Sequence, residues 1–166
     1  MDFLVLSRAS SAGEPDDELN ERHWAYMDRF ADGMTARGPT LATDRDTWTG
    51  SMHVVALPSV SAAHAFVADE PYERAGLFER QGIWRFTDLL GRTMWEHVGL
   101  GEEPTFLVIT PEIPDLPTDR FLMSGALHTL DDAPAGFVVA VQVPDRSALH
   151  GLVGAEVHDW EPGGRR

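Results

Sequence analysis

Apolar residues open the chain as a short run, Phe3-Leu4-Val5-Leu6, and give way to the polar stretch Ser10 to Glu18, which contains Gly13 and Pro15. The first reads as a strand and the second as a loop. From Leu19 the period changes. Leu19, His23, Tyr26, Met27, Phe30 and Met34 recur at three- and four-residue spacing, the mark of one buried helical face. Gly38-Pro39 is expected to stop this helix. Thr40 to Thr43 predicts a strand, Asp44 to Gly50 a hairpin turn, and Ser51 to Leu57 the returning strand, with Val54-Val55 as its strongest signal. Pro58-Ser59 predicts the start of a second, alanine-rich helix that Pro71 ends, and Glu79 to Phe86 is the last extended segment. The order is β-α-β-β-α-β, a ferredoxin-like unit.

The second half repeats part of this order. Thr87 to Val98 predicts a connecting helix with Leu89, Leu90, Met94 and Val98 on one side. Phe106-Leu107-Val108-Ile109 then mirrors the opening run. Gly136 to Val153 lies over Gly50 to Val67 without a gap, matching Gly136 to Gly50, Val141 to Val55, Pro144 to Pro58, Ser147 to Ser61, Ala148 to Ala62, His150 to His64 and Val153 to Val67. Where the first copy has its first helix, the second has Pro111 to Asp119, whose prolines oppose helix formation. The expected architecture is therefore α+β: a ferredoxin-like unit over residues 1–86, a connecting helix or linker over 87–103, a shortened βββαβ unit over 104–162 and a tail over 163–166. Two such units, each with an apolar sheet face to bury, are expected to pack as an intrachain pseudo-dimer.

Composition narrows the chemistry. A formal charge of −14 on 166 residues repels phosphate backbones, and no basic run offsets it, so nucleic acid is not an expected partner. No apolar run reaches the roughly 20 residues of a membrane helix, and Met1 to Val5 lacks the basic start of a signal peptide. No membrane partner is expected, and a cytoplasmic location is. The chain has no cysteine, which excludes thiolate nucleophiles and cysteine-bound metal clusters. It also has no lysine, which excludes Schiff-base chemistry and a P-loop grip on phosphate. His-x-His and His-x-x-x-His spacings are missing as well, so neither a metal site nor a cofactor is expected.

His23 is the leading chemical candidate. Its place on the apolar stripe turns the imidazole toward the sheet, and its ordinary pKa of about 6.5 suits proton transfer near neutrality when a carboxylate fixes the tautomer. A core histidine satisfied by a buried partner shows the same periodicity. Tyr26 and Tyr72 are candidate hydrogen-bond donors to a substrate oxygen, and Trp48, with Trp24 and Trp84, is a candidate pocket wall.

The first half resembles the YCII-related family. The resemblance rests on His23 followed by Tyr26, on Gly38-Pro39 and Gly50-Ser51, and above all on Glu70-Pro71-Tyr72-Glu73-Arg74-Ala75-Gly76-Leu77-Phe78. It covers about residues 3–86. It implies a dimeric α+β barrel, realised either by one chain as a pseudo-dimer or by a homodimer, and a histidine–carboxylate reactive pair acting on a small molecule. One member of the family eliminates hydrogen chloride from a chlorinated hydroxyquinol without a cofactor. Carried over, the resemblance makes His23 catalytic and Pro39, Ser51 and Tyr72 candidate substrate contacts. Glu70 stands where the family's aspartate precedes proline, and Asn20 where an arginine often precedes the histidine, so both Glu70 and the adjacent Asp69 are candidate partners. The expected activity is cofactor-independent proton transfer (elimination, isomerisation or cyclisation) on an aromatic or polyketide-like substrate. A cofactor-free monooxygenase and a non-catalytic metabolite-binding protein are the alternatives.

Overall fold

The computed structural model describes residues 1–97 and 101–163. Eight strands close into one antiparallel barrel: β1 (Asp2–Ala9), β2 (Met34–Leu41), β3 (Trp48–Ala56), β4 (Phe78–Asp88), β5 (Thr105–Thr110), β6 (Phe121–His128), β7 (Pro134–Gln142) and β8 (Glu156–Trp160). Around the barrel the order is β1-β3-β2-β8-β5-β7-β6-β4. The first four strands run β4-β1-β3-β2 and the last four β8-β5-β7-β6, so each set visits its members in the same relative order. The sets meet where β2 pairs with β8 and β4 with β6. Closure leaves no open sheet edge to cover.

Strand alternation sorts side chains to the two faces. Leu4, Leu6, Met52, Val54, Leu107, Leu122, Val138, Ala140 and Trp160 fill the barrel. On the outer face of the first half, Phe3, Val5 and Val55 pack against Tyr26 and Met27 of α1 (Asp17–Asp28) and Ala63 and Phe66 of α2 (Val60–Ala68). The outer face of the second half, with Phe106, Val108, Val139 and Val141, is covered by Leu149 and by Leu90, Leu116 and Leu152 from loops. Both helices begin as their caps dictate. Asp16 Oδ1 accepts from Leu19 N at 2.8 Å, and Ser59 Oγ accepts from Ala62 N at 3.1 Å, each cap worth about 1 kcal/mol. No helix among the described residues is long and apolar enough to cross a membrane.

The repeat has a structural counterpart in β3 and β7, nine residues each and in the register of the gapless alignment. Gly50 and Gly136 hold the same place in the two strands, with φ of +146° and +103°. A Cβ at Gly50 would lie 2.0 Å from the Ser7 carbonyl oxygen, so close strand approach requires glycine there.

Several elements differ from expectation. Helix α1 ends at Asp28, and a 3₁₀ turn (Ala31–Gly33) leads into β2, so Met34 and Gly38-Pro39 belong to a strand. The apolar period had run on across a tight helix-to-strand junction. Pro71 does not merely end α2; it opens a separate short helix, α3 (Pro71–Arg74), behind the capping residue Glu70. The expected connecting helix over Thr87 to Val98 is absent through His97, and Val98 lies outside the described residues. Instead β4 continues to Asp88, whose carboxylate accepts from the backbone of Leu90 and Gly91, and a Thr93–Glu96 capping box forms one 3₁₀ turn that sends Met94 into the barrel core. The helix expected in the second copy is only a 3₁₀ turn (Arg146–Leu149), closely followed by Gly151 and Gly154. Residues 164–166 of the tail lie outside the described residues.

Candidate functional site

A pocket of about 410 Å³ lies between α1 and the outer face of β2 and β3, within the size range of small-molecule sites. Asn20, His23, Trp24 and Met27 form the helical wall, at the i, i+3, i+4, i+7 spacing of one face. The sheet floor is a two-by-two patch of cross-strand pairs, Arg37 opposite His53 and Pro39 opposite Ser51. Trp48 and Tyr72 close one side, and Glu14 and Pro15 stand at the rim. Gly163 completes the wall, because the chain beyond β8 keeps pairing with β2 through Glu161 N to Pro39 O and Gly163 N to Arg37 O.

His23 and Glu70 form a buried pair, 7 % and 4 % exposed, with Nδ1 and Oε1 2.5 Å apart. The local sequence explains the aim. Glu70 caps α3, its Oε2 accepting from Glu73 N at 2.9 Å, and Pro71 at the first helical position fixes the backbone behind it. The cap orients the carboxylate, leaving Oε1 for the histidine. An ionised Glu70 carboxylate can only accept, so against it Nδ1 carries the imidazole proton and donates it, which leaves Nε2 as the ring nitrogen without a proton. Tyr72 stacks flat on the imidazole, ring centres 4.1 Å apart and planes within 7°, while its hydroxyl donates to Asn20 Oδ1. Burial, with Glu70 beside it, pushes the Tyr72 phenol well up, so it stays protonated and keeps that donor. Trp48 meets the other side of Tyr72 edge-on.

His53 faces the same space, its ring centre 5.8 Å from that of His23. Complete burial, then the neighbouring His23 and Arg37, hold its pKa well below the ordinary 6.5, so the imidazole is neutral.

Of the residues singled out in the sequence, the structure brings together His23, Glu70, Tyr72, Trp48, Trp24, Pro39 and Ser51. It does not bring in Tyr26, Asp69 or Trp84. Tyr26 donates to the Phe66 carbonyl at 2.9 Å and packs with Phe30 and Phe66, and burial raises its pKa to about 12. Asp69 turns outward to Arg74 at 2.5 Å. Trp84 packs toward the barrel core and covers Gly82. Sequence reading missed Arg37 and His53 as pocket residues. The signal was present: each lies two positions from a residue that was singled out, Pro39 and Ser51, and therefore on the same strand face. Among the described residues no three His, Asp or Glu side chains converge as a metal-ligand set.

A comparison with curated proteins finds no match. Among solved structures, a chlorite dismutase-like protein, TA0507, is similar over 96 % of this chain and 94 % of its own, with a TM-score of 0.53 at 12 % identity. That likeness concerns the fold alone, a strand-dominated mixed α/β chain. A 5-chloro-2-hydroxyhydroquinone dehydrochlorinase from Burkholderia phenoliruptrix, solved with 2,5-dihydroxybenzoquinone, is 28 % identical over 51 % of this chain and 92 % of its own, with a TM-score of 0.42. A monooxygenase-like protein from Lactobacillus acidophilus is 8 % identical over 96 % of this chain and 92 % of its own, with a TM-score of 0.47. The profile of the YCII-related domain matches residues 1–87, more than half of the sequence and all of the His23–Glu70 pair, and the chain belongs to that family.

Proposed function

We propose that this protein is a cofactor-independent enzyme that moves a proton on a small planar, aromatic or polyketide-like substrate, with His23 as the base and Glu70 as its orienting partner. The observation that carries this reading is the 2.5 Å contact between His23 Nδ1 and a carboxylate whose other oxygen is held by a helix cap. His23 lines the pocket, and with Nδ1 donating to Glu70 its Nε2 is the nitrogen left to take a substrate proton. A proton taken from a substrate carbon makes an imidazolium that Glu70 stabilises at close range, and the same proton can be returned elsewhere. Elimination, isomerisation and ring closure all use this cycle. The tandem arrangement fits the reading: the two four-strand sets act as ferredoxin-like units in a pseudo-dimeric barrel, and among the described residues only the first, residues 1–86, has a long helix to roof a pocket. The reactive pair belongs to that half, and the second half adds the wall at Gly163.

The direct test follows carbon-bound protons. The protein is incubated in D₂O with a panel of cyclic 1,3-diketones, hydroxyquinols and hydroxyquinones, and replacement of C–H by C–D is followed by NMR. Catalysed wash-in by the native protein and its loss in His23→Ala support the reading. Wash-in that is absent across the panel, or undiminished in His23→Ala, counts against it. Oxygen consumption measured in parallel identifies the monooxygenase alternative.

A further inference from the structure

Three polar groups on the sheet floor play no part in the His23–Glu70 pair. Ser51 Oγ is buried and makes no hydrogen bond in the folded chain, a costly state for a hydroxyl. Two residues along β3 and on the same face lies the buried, neutral His53. Across the strand pair from it stands Arg37, its guanidinium over the Trp95 ring at 5.9 Å. All three line the pocket opposite the helical wall that carries His23. A hydroxyl, a neutral imidazole and a guanidinium share one chemical ability: each donates a hydrogen bond to an oxygen. Placed on one rigid sheet face beside the apolar surfaces of Met27, Pro39 and Trp48, they suit a single oxygen that gains negative charge while the rest of the molecule stays apolar.

We propose that Ser51, His53 and Arg37 form an oxyanion-binding floor, and that the substrate is a planar enolisable ketone, or the keto tautomer of a phenol, whose oxygen docks there. The proposal rests on the proton-transfer reading for its chemistry, though not for its binding geometry. In that chemistry His23 Nε2 takes the proton of a C–H bond next to the carbonyl. The electron pair of that bond becomes the C=C bond of an enolate as the carbonyl π pair moves onto oxygen, where the floor receives the charge. Return of the proton to another carbon completes an isomerisation. Collapse of the enolate with loss of a substituent from the adjoining carbon completes an elimination, the departing group carrying away the electron pair and then the proton. Neutrality of His53 matters here, because an imidazole that keeps its proton can donate to the forming oxyanion without first giving that proton to solvent.

The probe is 4-nitrophenol, whose visible absorbance reports whether it is bound as phenol or phenolate. Nitrobenzene is the control without the oxygen, and benzoate the control with a carboxylate in its place. Quenching of the pocket tryptophans Trp24 and Trp48 reports occupancy. The native protein should bind 4-nitrophenol as the phenolate at a pH where the free compound is mostly protonated, and should bind nitrobenzene and benzoate at least about tenfold more weakly. Ser51→Ala removes a hydroxyl that makes no hydrogen bond, so the fold should persist; it and His53→Gln should shift the bound probe back toward the phenol. Arg37→Met should do so further, with near-ultraviolet circular dichroism checking that it folds. His23→Ala should lose the deuterium wash-in yet still bind the probe as phenolate, which separates the floor from the proton-transfer reading. Bound probe that stays protonated overturns the proposal. So does equal or tighter binding of nitrobenzene or benzoate, or an ionisation state unchanged in both Ser51→Ala and His53→Gln.

Discussion

Arg37 and His53 face each other across the β2–β3 pair, so a fixed positive charge sits beside a buried imidazole. Burial is the main reason that imidazole stays neutral, with His23 and Arg37 adding to it. The consequence for stability has a definite sign. Above about pH 6.5 neither folded nor unfolded His53 binds a proton, and stability is unaffected. Below it the unfolded chain takes up a proton that the folded chain refuses down to its own lower pKa, so stability falls as the pH falls. His158 and His97, both lowered chiefly by burial, act in the same direction. Urea unfolding at about pH 7.5 and about pH 5.5 should show a lower midpoint at the acid value, and His53→Gln should reduce that difference. A midpoint equal or higher in acid contradicts the assignment of a neutral His53.

Gly38 gives a mechanical test of the pocket wall. A Cβ at this position would lie 1.8 Å from the Glu161 carbonyl oxygen, a backbone atom that cannot rotate away. Gly38→Ala should therefore force the segment after β8 off β2, breaking the pairing of Glu161 and Gly163 with Pro39 and Arg37. The expected result is weaker binding of the nitrophenol probe and faster amide exchange at Gly163, with the exchange of β1 amides unchanged. Normal binding and protected Gly163 in the variant would show that the wall tolerates the methyl group.

The legibility of each element in the sequence follows the length scale of its signal. Strand alternation and the gapless repeat place β1, β3, β5 and β7 well, because those patterns are local and reinforced by burial on one or both faces. The helical stripe identified His23 but ran on to Met34, since a helix followed at once by a strand keeps supplying apolar residues at nearly helical intervals. The connecting helix failed for a related reason: Leu89, Leu90 and Met94 are apolar, yet they serve different clusters or solvent, Leu89 being exposed and Met94 inside the barrel. For the site, the short range of the Glu70-Pro71 motif made Glu70 and Asp69 equal candidates. Their separation is set by the cap of α3, which turns Glu70 inward and leaves Asp69 to Arg74. Arg37 and His53 are legible only after β2 and β3 are paired, which is a property of the fold and not of either segment.

Asp159 is the carboxylate on which residues from both halves converge. Arg45 Nη1 reaches one oxygen at 2.8 Å and Arg146 Nη1 the other at 2.5 Å, and the aspartate is buried. Removing its charge leaves two guanidinium groups beside a buried amide. Asp159→Asn should lower unfolding stability by about 3 kcal/mol, measured by denaturant titration. A loss below about 0.5 kcal/mol would mean that solvent already screens the cluster.

Chelation should leave the deuterium wash-in intact, since proton transfer by His23 and Glu70 needs only the two side chains. The measurement compares initial rates with and without excess EDTA. A rate lost in chelator and restored by one particular divalent ion would replace the His23 mechanism with a metal-assisted one.

The two roles of Glu70 can be separated because its two oxygens do different things. Oε2 holds the start of α3, and Oε1 holds His23 Nδ1. In Glu70→Gln the side-chain oxygen can still accept from Glu73 N or from Nδ1, but the negative charge that stabilises an imidazolium is gone. Wash-in should therefore fall by roughly 10- to 100-fold while the thermal midpoint moves little. Glu70→Ala removes both contacts and should lose stability as well as rate. His23→Ala should reduce the rate by roughly 10²- to 10⁴-fold in a folded protein. Asp69→Asn should stay within about twofold of the native rate, because Asp69 meets only Arg74 at the surface. If Asp69→Asn were the more damaging of the two amide variants, the carboxylate assigned from the α3 cap would be the wrong one; if both were silent, His23 would act without an anionic partner and the pair would be structural.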